Sequence, residues 1–147
     1  MNKIDVKITK LNKNATIPTY GSEYAAGADL YACLDDMVVI KKGETVFVPT
    51  GVAIELPKGT AGLLFARSGL ASKKGLAPAN KVGVIDSDYR GEILVALHNH
   101  SKKDYELQPG ERIAQLLITP YIKANFIEEE LSDTKRGSGG FGSTGSK

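Results

Sequence analysis

The chain has little cysteine, little histidine, no excess of one charge and no long apolar run, and each shortage removes a class of protein. Cys33 is the only cysteine among 147 residues, which excludes an internal disulfide and fits a reducing cytoplasm. With no basic neighbour in sequence, its thiol reads as a small packed side chain rather than a nucleophile. Nineteen basic side chains against 17 acidic ones leave a formal net charge of +2. The lysines are scattered and not interleaved with aromatics, so nucleic acid is not an expected partner. No apolar stretch approaches the roughly 18 residues that span a bilayer. Met1-Asn2-Lys3-Ile4-Asp5 is polar from the outset, unlike a secretory signal, so no membrane is expected either. A sustained 3.6-residue apolar period is also missing.

What remains is a set of short β-prone runs between turn signals. Ile4, Val6 and Ile8 alternate with Asp5, Lys7 and Thr9, as in a half-buried strand. Val38-Val39-Ile40 and Thr45-Val46-Phe47-Val48 flank a Lys-Lys-Gly-Glu turn, and Val52, Ile54 and Leu56 alternate before Pro57-Lys58-Gly59. Residues 61–66 predict a continuous buried strand running into Arg67-Ser68-Gly69-Leu70-Ala71, with one helical turn expected at 70–74. In residues 83–91, Asp86, Asp88 and Arg90 lie between two apolar runs with a glycine at each end, which predicts a hairpin. Pro109-Gly110 precedes a strand from Arg112 to Ile118, and Phe126-Ile127 predicts one more. Turn signals every 8 to 12 residues indicate an all-β sandwich, jelly roll or barrel.

At 147 residues and 15.7 kDa the chain suits one domain. Composition shifts at residue 135, which divides a body (1–134) from a glycine-rich tail (135–147) with too little apolar content to fold alone. The tail contains one phenylalanine, Phe141, is headed by Arg136, and offers backbone N–H groups able to wrap phosphate oxygens. It spells G-x-G-x-x-G, but with no helix to follow, the dinucleotide reading fails. His98 and His100 share a strand face without a third ligand at familiar spacing, so they do not predict a metal site. Arg67-Ser68-Gly69 reads either as a surface turn or as a guanidinium, a hydroxyl and a bare backbone aimed at an anion. Asp29, beside Gly27, is a loop cap or a carboxylate held for a metal-bound water. Gln115 interrupts an apolar strand where its amide needs a partner.

Taken in order, Ala26-Gly27-Ala28-Asp29-Leu30, Arg67-Ser68-Gly69-Leu70-Ala71, residues 83–91, Glu111-Arg112-Ile113-Ala114-Gln115-Leu116 and residues 136–145 resemble the five motifs of the trimeric dUTP pyrophosphatases. The resemblance runs from Ala26 to Gly145. It implies a jelly-roll-like β-barrel of the dUTPase-like (β-clip) kind and a homotrimer with a mobile C-terminal arm. Each shared active site would draw on three chains. The implied reaction is Mg²⁺-assisted hydrolysis of dUTP to dUMP and pyrophosphate by water attack at the α-phosphorus, supplying dUMP for dTMP synthesis and keeping uracil out of DNA.

In that scheme Asp86 is the general base and Asp29 meets the magnesium through water. Arg67, Ser68, Gln115, Arg136, Ser143 and Thr144 hold the phosphates, and Gly69 and Gly142 belong to the same substrate-binding set. Asn80, Gly83 and Ile85 meet the base, Tyr89 lies against the deoxyribose, and Phe141 covers the uracil. Two rivals share the expected fold: a dCTP deaminase, and a non-catalytic regulatory trimer that binds a protein partner.

Overall fold

The structure is a computed structural model describing residues 3–145. Met1 and Asn2, which open the polar N-terminus, and Ser146 and Lys147, which end the tail, lie outside the described residues. Twelve strands and one short helix make up the regular structure among those described.

The largest sheet has five strands. β3 (Ala28–Tyr31) lies between the two-residue edge strand β2 (Thr19–Tyr20) and β12 (Arg112–Pro120), while β7 (Thr60–Phe65) joins β12 to β9 (Gly83–Ile85). A three-stranded sheet places β10 (Leu94–Asn99) between β5 (Thr45–Pro49) and β8 (Leu76–Pro78). Two antiparallel pairs complete the fold: β1 (Lys7–Lys10) with β6 (Val52–Glu55), and β4 (Val38–Ile40) with β11 (Tyr105–Leu107). One apolar core serves all four sheets. Leu30, Ile40, Val48, Val52, Leu76, Val95, Leu97, Leu107 and Ile113 are almost fully buried in it, each contributing about 2 kcal/mol of apolar transfer energy. Asn99 is buried among them because its amide is fully used. Its Nδ2 donates to the carbonyls of Ile40 (2.9 Å) and Lys103 (2.7 Å), and its Oδ1 accepts from Ser101 N (3.0 Å).

The helix α1 (Ser68–Lys74) is two turns rather than one. It ends at Gly75, whose φ of 73° is left-handed and whose N–H returns to Leu70 O. A Cβ there would also stand 2.6 Å from Ser101 Cβ, so glycine is required twice over.

Several expectations need correction. Residues 83–91 are not a hairpin. β9 pairs with β7, whereas β10 pairs with β5 and β8, so the acidic segment crosses from one sheet to another. The Lys41–Glu44 turn likewise joins strands that pair elsewhere, β4 with β11 and β5 with β10. β1 starts only at Lys7 and leaves Ile4 exposed. β6 buries Val52, Ala53 and Ile54 alike, because both of its faces are covered. Phe126 and Ile127 form no strand. Beyond Pro120 the described chain runs without one, and Ile122, Phe126 and Leu131 are 90% or more exposed.

Candidate active site

Two clusters of polar side chains form on the five-stranded sheet. The first is built on β3, β12 and the exit of β7. Asp29 on β3 is paired across the sheet with Gln115, and Gln115 with Phe65 on β7. Asp29 is only 9% exposed, a position a carboxylate holds only with partners. It has two. Arg67 Nε donates to Oδ1 at 2.8 Å and Arg112 Nη1 to Oδ2 at 3.3 Å.

Arg112 reaches this face because of an irregularity. Arg112 lies opposite Tyr31 and Ala114 opposite Leu30, so β12 carries one extra residue between them. In regular pairing Tyr31 would face Ile113, and Arg112 would point to the other side of the sheet. The bulge reverses the parity and brings the guanidinium to Asp29. Arg112 was not among the expected site residues. The sequence places it at the head of a strand and within the Glu111–Leu116 motif but assigns it no role, and the bulge leaves no trace in the apolar pattern.

Gln115 finds its partner in Ala66 O, to which Nε2 donates at 2.8 Å. Gly27 makes room for it, since a Cβ there would overlap Oε1 and stand 3.1 Å from Gln115 Cβ. Ser68 and Gly69 open α1 in exposed positions, and a Cβ on Gly69 would meet nothing within 4 Å. One carboxylate shared by two guanidiniums leaves an uncompensated positive charge. The terminal nitrogens of Arg67 carry no side-chain or backbone acceptor among the described residues. The cluster therefore carries net positive charge of the kind an anion can pair with.

The second cluster surrounds a cleft of about 230 Å³ between β9, the crossover loop and the start of β10. Asn80, Gly83, Ile85, Asp86 and Tyr89 all line it, so five expected base, sugar and catalytic residues share one cavity. Asp86 is exposed at its rim, and the loop turns at this point through Tyr89 N donating to Asp86 O at 3.1 Å. The Tyr89 ring folds back over Gly91, and its Oη donates to Glu92 O at 2.8 Å. Lys81 precedes β9 with φ of 65°, a left-handed backbone unusual outside glycine. It closes a tight turn in which Val82 N donates to Asn80 O at 2.8 Å.

The clusters do not meet within the chain. Ile85 is level with Gly62 and Gln115 with Phe65, a separation of three residues, about 10 Å, along β7. From β9 to β3 is three strand spacings, about 14 Å. The arm residues Arg136, Phe141, Gly142, Ser143 and Thr144 join neither cluster. Their segment is closed by its own turns, with Arg136 Nε donating to Gly139 O at 2.8 Å, Ser143 N to Gly140 O at 3.1 Å and Gly145 N to Gly142 O at 2.9 Å. Phe141 has a positive φ of 49° and a wholly exposed ring.

No group of three or more His, Cys, Asp or Glu side chains among the described residues is placed to hold a metal. Both oxygens of Asp29 already accept from guanidinium groups, which disfavours a cation bound directly to it. His98 is tied to Thr45 by a 3.0 Å hydrogen bond on Nδ1. The donor set fits a magnesium ion carried by a polyphosphate, touching protein through water, and does not fit a cage made of side chains.

The chain is similar to known proteins over nearly its whole length. The dUTPase family model matches residues 13–145. A deoxyuridine 5'-triphosphate nucleotidohydrolase of Desulfitobacterium hafniense is 52% identical, with 99% of each chain covered. The protein of that name from Escherichia coli O45:K1 is 44% identical, again over 99% of each. Among solved structures, a Staphylococcus bacteriophage 80alpha dUTPase with dUPNHPP superposes with a TM-score of 0.87 at 30% identity, covering 97% of this chain and 99% of that one. A dUTPase from phage phi11 of S. aureus, described as coordinating a structural Mg(II) ion, gives 0.77 at 25% identity over 87% and 98%. The sequence motifs, the strand framework and these matches converge, and the chain belongs to the dUTPase family.

Proposed function

We propose that this chain hydrolyses dUTP to dUMP and pyrophosphate as a homotrimer, with Asp86 as general base for water attack at the α-phosphorus. The observation that carries the reading is the division of labour on the five-stranded sheet. An anion-receiving cluster at Asp29, Arg67 and Gln115 stands apart from a cleft holding Asp86 and Tyr89. Attack at the α-phosphorus requires the base within one water of the phosphate chain. The spacing of about 10 Å along and about 14 Å across the sheet is too wide for that. It supports a site in which the cleft of one protomer faces the anion cluster of another.

In the assembled site Arg67, Ser68, Gly69 and Gln115 bind the phosphates, and Arg136, Gly142, Ser143 and Thr144 of the arm close over them. Phosphoryl transfer depends mostly on such positioning and charge stabilisation, to which a positioned base adds about 10²–10⁴-fold. Magnesium, carried by the triphosphate with Asp29 beyond a water, supplies neutralisation of phosphate charge. Asp29 also keeps Arg67 and Arg112 aimed into the site. Asn80 and the backbone of Gly83 and Ile85 read the polar edge of uracil, and a close-fitting β-arm excludes a 5-methyl group. Tyr89 lies flat on the deoxyribose, where a 2′-hydroxyl would strike the ring. Phe141 covers the base when the arm closes and excludes water.

The same reading gives a jelly-roll-like barrel for residues 1–134 and a phosphate-binding arm for 135–147. The exposed Phe47 and Val84 on β5 and β9, and Ile122, Phe126 and Leu131 beyond β12, support burial against other protomers. No helix among the described residues is long and apolar enough to cross a membrane, and a free Cys33 supports a cytoplasmic location.

A pyrophosphate-release assay on dUTP with magnesium tests the activity, and Asp86→Asn tests the base. Turnover should fall at least about 100-fold while dUTP binding persists. Near-normal turnover would remove Asp86 from its role.

A further inference from the structure

The loop that carries Asp86 and Tyr89 lacks the support its neighbours have. It leaves β9 in the five-stranded sheet and enters β10 in another, so no ladder runs through residues 86–92. Its backbone makes one internal bond, Tyr89 N to Asp86 O. Side chains provide the rest. Arg90 Nη1 donates to Ser87 O at 2.7 Å and to Tyr89 O at 3.2 Å. Its Nη2 reaches toward Glu55 on β6 at 3.9 Å, and Glu55 also holds Lys7 on β1 at 3.3 Å. At the far end, Glu92 Oε1 accepts from Gly51 N at 2.8 Å.

From this geometry we propose that Arg90 is a positioning residue: it clamps the two carbonyls that bracket Asp88, and thereby fixes Asp86 and the Tyr89 ring in the orientation needed for catalysis and sugar selection. The inference rests on the function proposed above. The ion pair to Glu55 is the lesser part, since both side chains are about half exposed, 55% and 45%, and such pairs contribute little. Both carbonyl bonds are charge-assisted and come from the one nitrogen Nη1, which the planar guanidinium holds in place. A methyl group in place of that side chain frees a loop whose job is sub-ångström placement, and a misplacement of about 1 Å is worth on the order of 100-fold in rate.

The test compares Arg90→Ala, Arg90→Lys and Glu55→Gln with the parent enzyme. Arg90→Ala should lower kcat for dUTP by about 10–100-fold and reduce the dUTP/UTP preference, with Arg90→Lys recovering part of both. Glu55→Gln should stay within about twofold of the parent. In the unliganded protein, hydrogen exchange at residues 86–91 should accelerate in Arg90→Ala while β7 and β12 stay protected. An unchanged dUTP/UTP preference together with unchanged exchange in Arg90→Ala would overturn the clamp. Should that variant not assemble, the same two readouts on Arg90→Lys decide the matter, and parental values there overturn the clamp too. A parent that fails to hydrolyse dUTP would instead sink the underlying function, and the exchange measurement would still judge the clamp.

Discussion

Gly91→Ala should separate sugar selection from stability. Gly91 has no positive φ to protect, so alanine suits its backbone, but the added Cβ would stand 2.5 Å from Tyr89 Oη, 2.6 Å from Cζ and 3.0 Å from Cε2. Carbon contacts settle at about 3.5–4.0 Å, so the ring must retreat by about 1 Å. The retreat breaks the 2.8 Å bond to Glu92 O. At a half-exposed site where water takes over, that loss costs about 1 kcal/mol, or roughly 2–4 °C in Tm for a chain of this size. The functional cost is larger, because a substrate misplaced by about 1 Å loses on the order of 100-fold in rate.

The expected result is a folded protein with kcat/KM for dUTP down by about 10–100-fold and a smaller fall for UTP, so that the preference between them narrows. The assay is pyrophosphate release on both nucleotides, with a thermal melt in parallel. Tyr89→Ala provides the control. If the ring carries the effect, Gly91→Ala added to Tyr89→Ala changes nothing further. An unaltered preference in Gly91→Ala, or a double variant far worse than Tyr89→Ala, would refute the reasoning.

Three further outcomes are expected. Ending the chain before Lys135 should leave the Tm of the body within a few degrees, since residues 135–145 bond among themselves and, outside the segment, only to Thr134, while dUTP turnover collapses; retained turnover would make the arm a passive tail. Gly51→Ala should destabilise by about 2–4 kcal/mol, because φ is +69° and a Cβ would stand 2.8 Å from both Ala15 Cβ and Cys33 Sγ, and a denaturant melt reads it directly. Tyr105 Oη donates to Glu111 Oε2 at 2.7 Å, and burial first, then Glu111, pushes its phenol up to about 12 from the ordinary 10. Its stabilisation is therefore complete below pH 10 and lost as pH rises toward 12. The Tm gap between parent and Tyr105→Phe should narrow over that window and stay constant below it.

Several strand positions were readable in the sequence, although the alternation at Ile4, Val6 and Ile8 overstated β1, which begins only at Lys7. Thr45 to Val48, Ala61 to Phe65 and Arg112 to Ile118 all became strands, and Pro57-Lys58-Gly59 and Pro109-Gly110 became turns. Strand partners were not readable. Alternation states which face is buried but not which neighbour supplies the ladder, and so residues 83–91 look like a hairpin while their flanks belong to different sheets. The motifs pointed to Asp29 and Gln115, and to the cleft residues Asn80, Asp86 and Tyr89. They did not reveal the second guanidinium on Asp29, because Arg112 arrives through a bulge that depends on both strands at once. Arg90 was visible as a charge in the same stretch, yet its use is to hold carbonyls, which only coordinates display.

The separation of the arm from the Asp86 cleft has a genetic consequence. Two inactive versions of this chain, one with Asp86→Asn and one ending before Lys135, carry lesions in different contributions to the site. If loop and arm are donated by different protomers, co-refolding equal amounts should restore about a quarter of the sites, each with an intact carboxylate from one parent and an intact arm from the other. If one protomer donates both, no pairing of the defective parents regains activity.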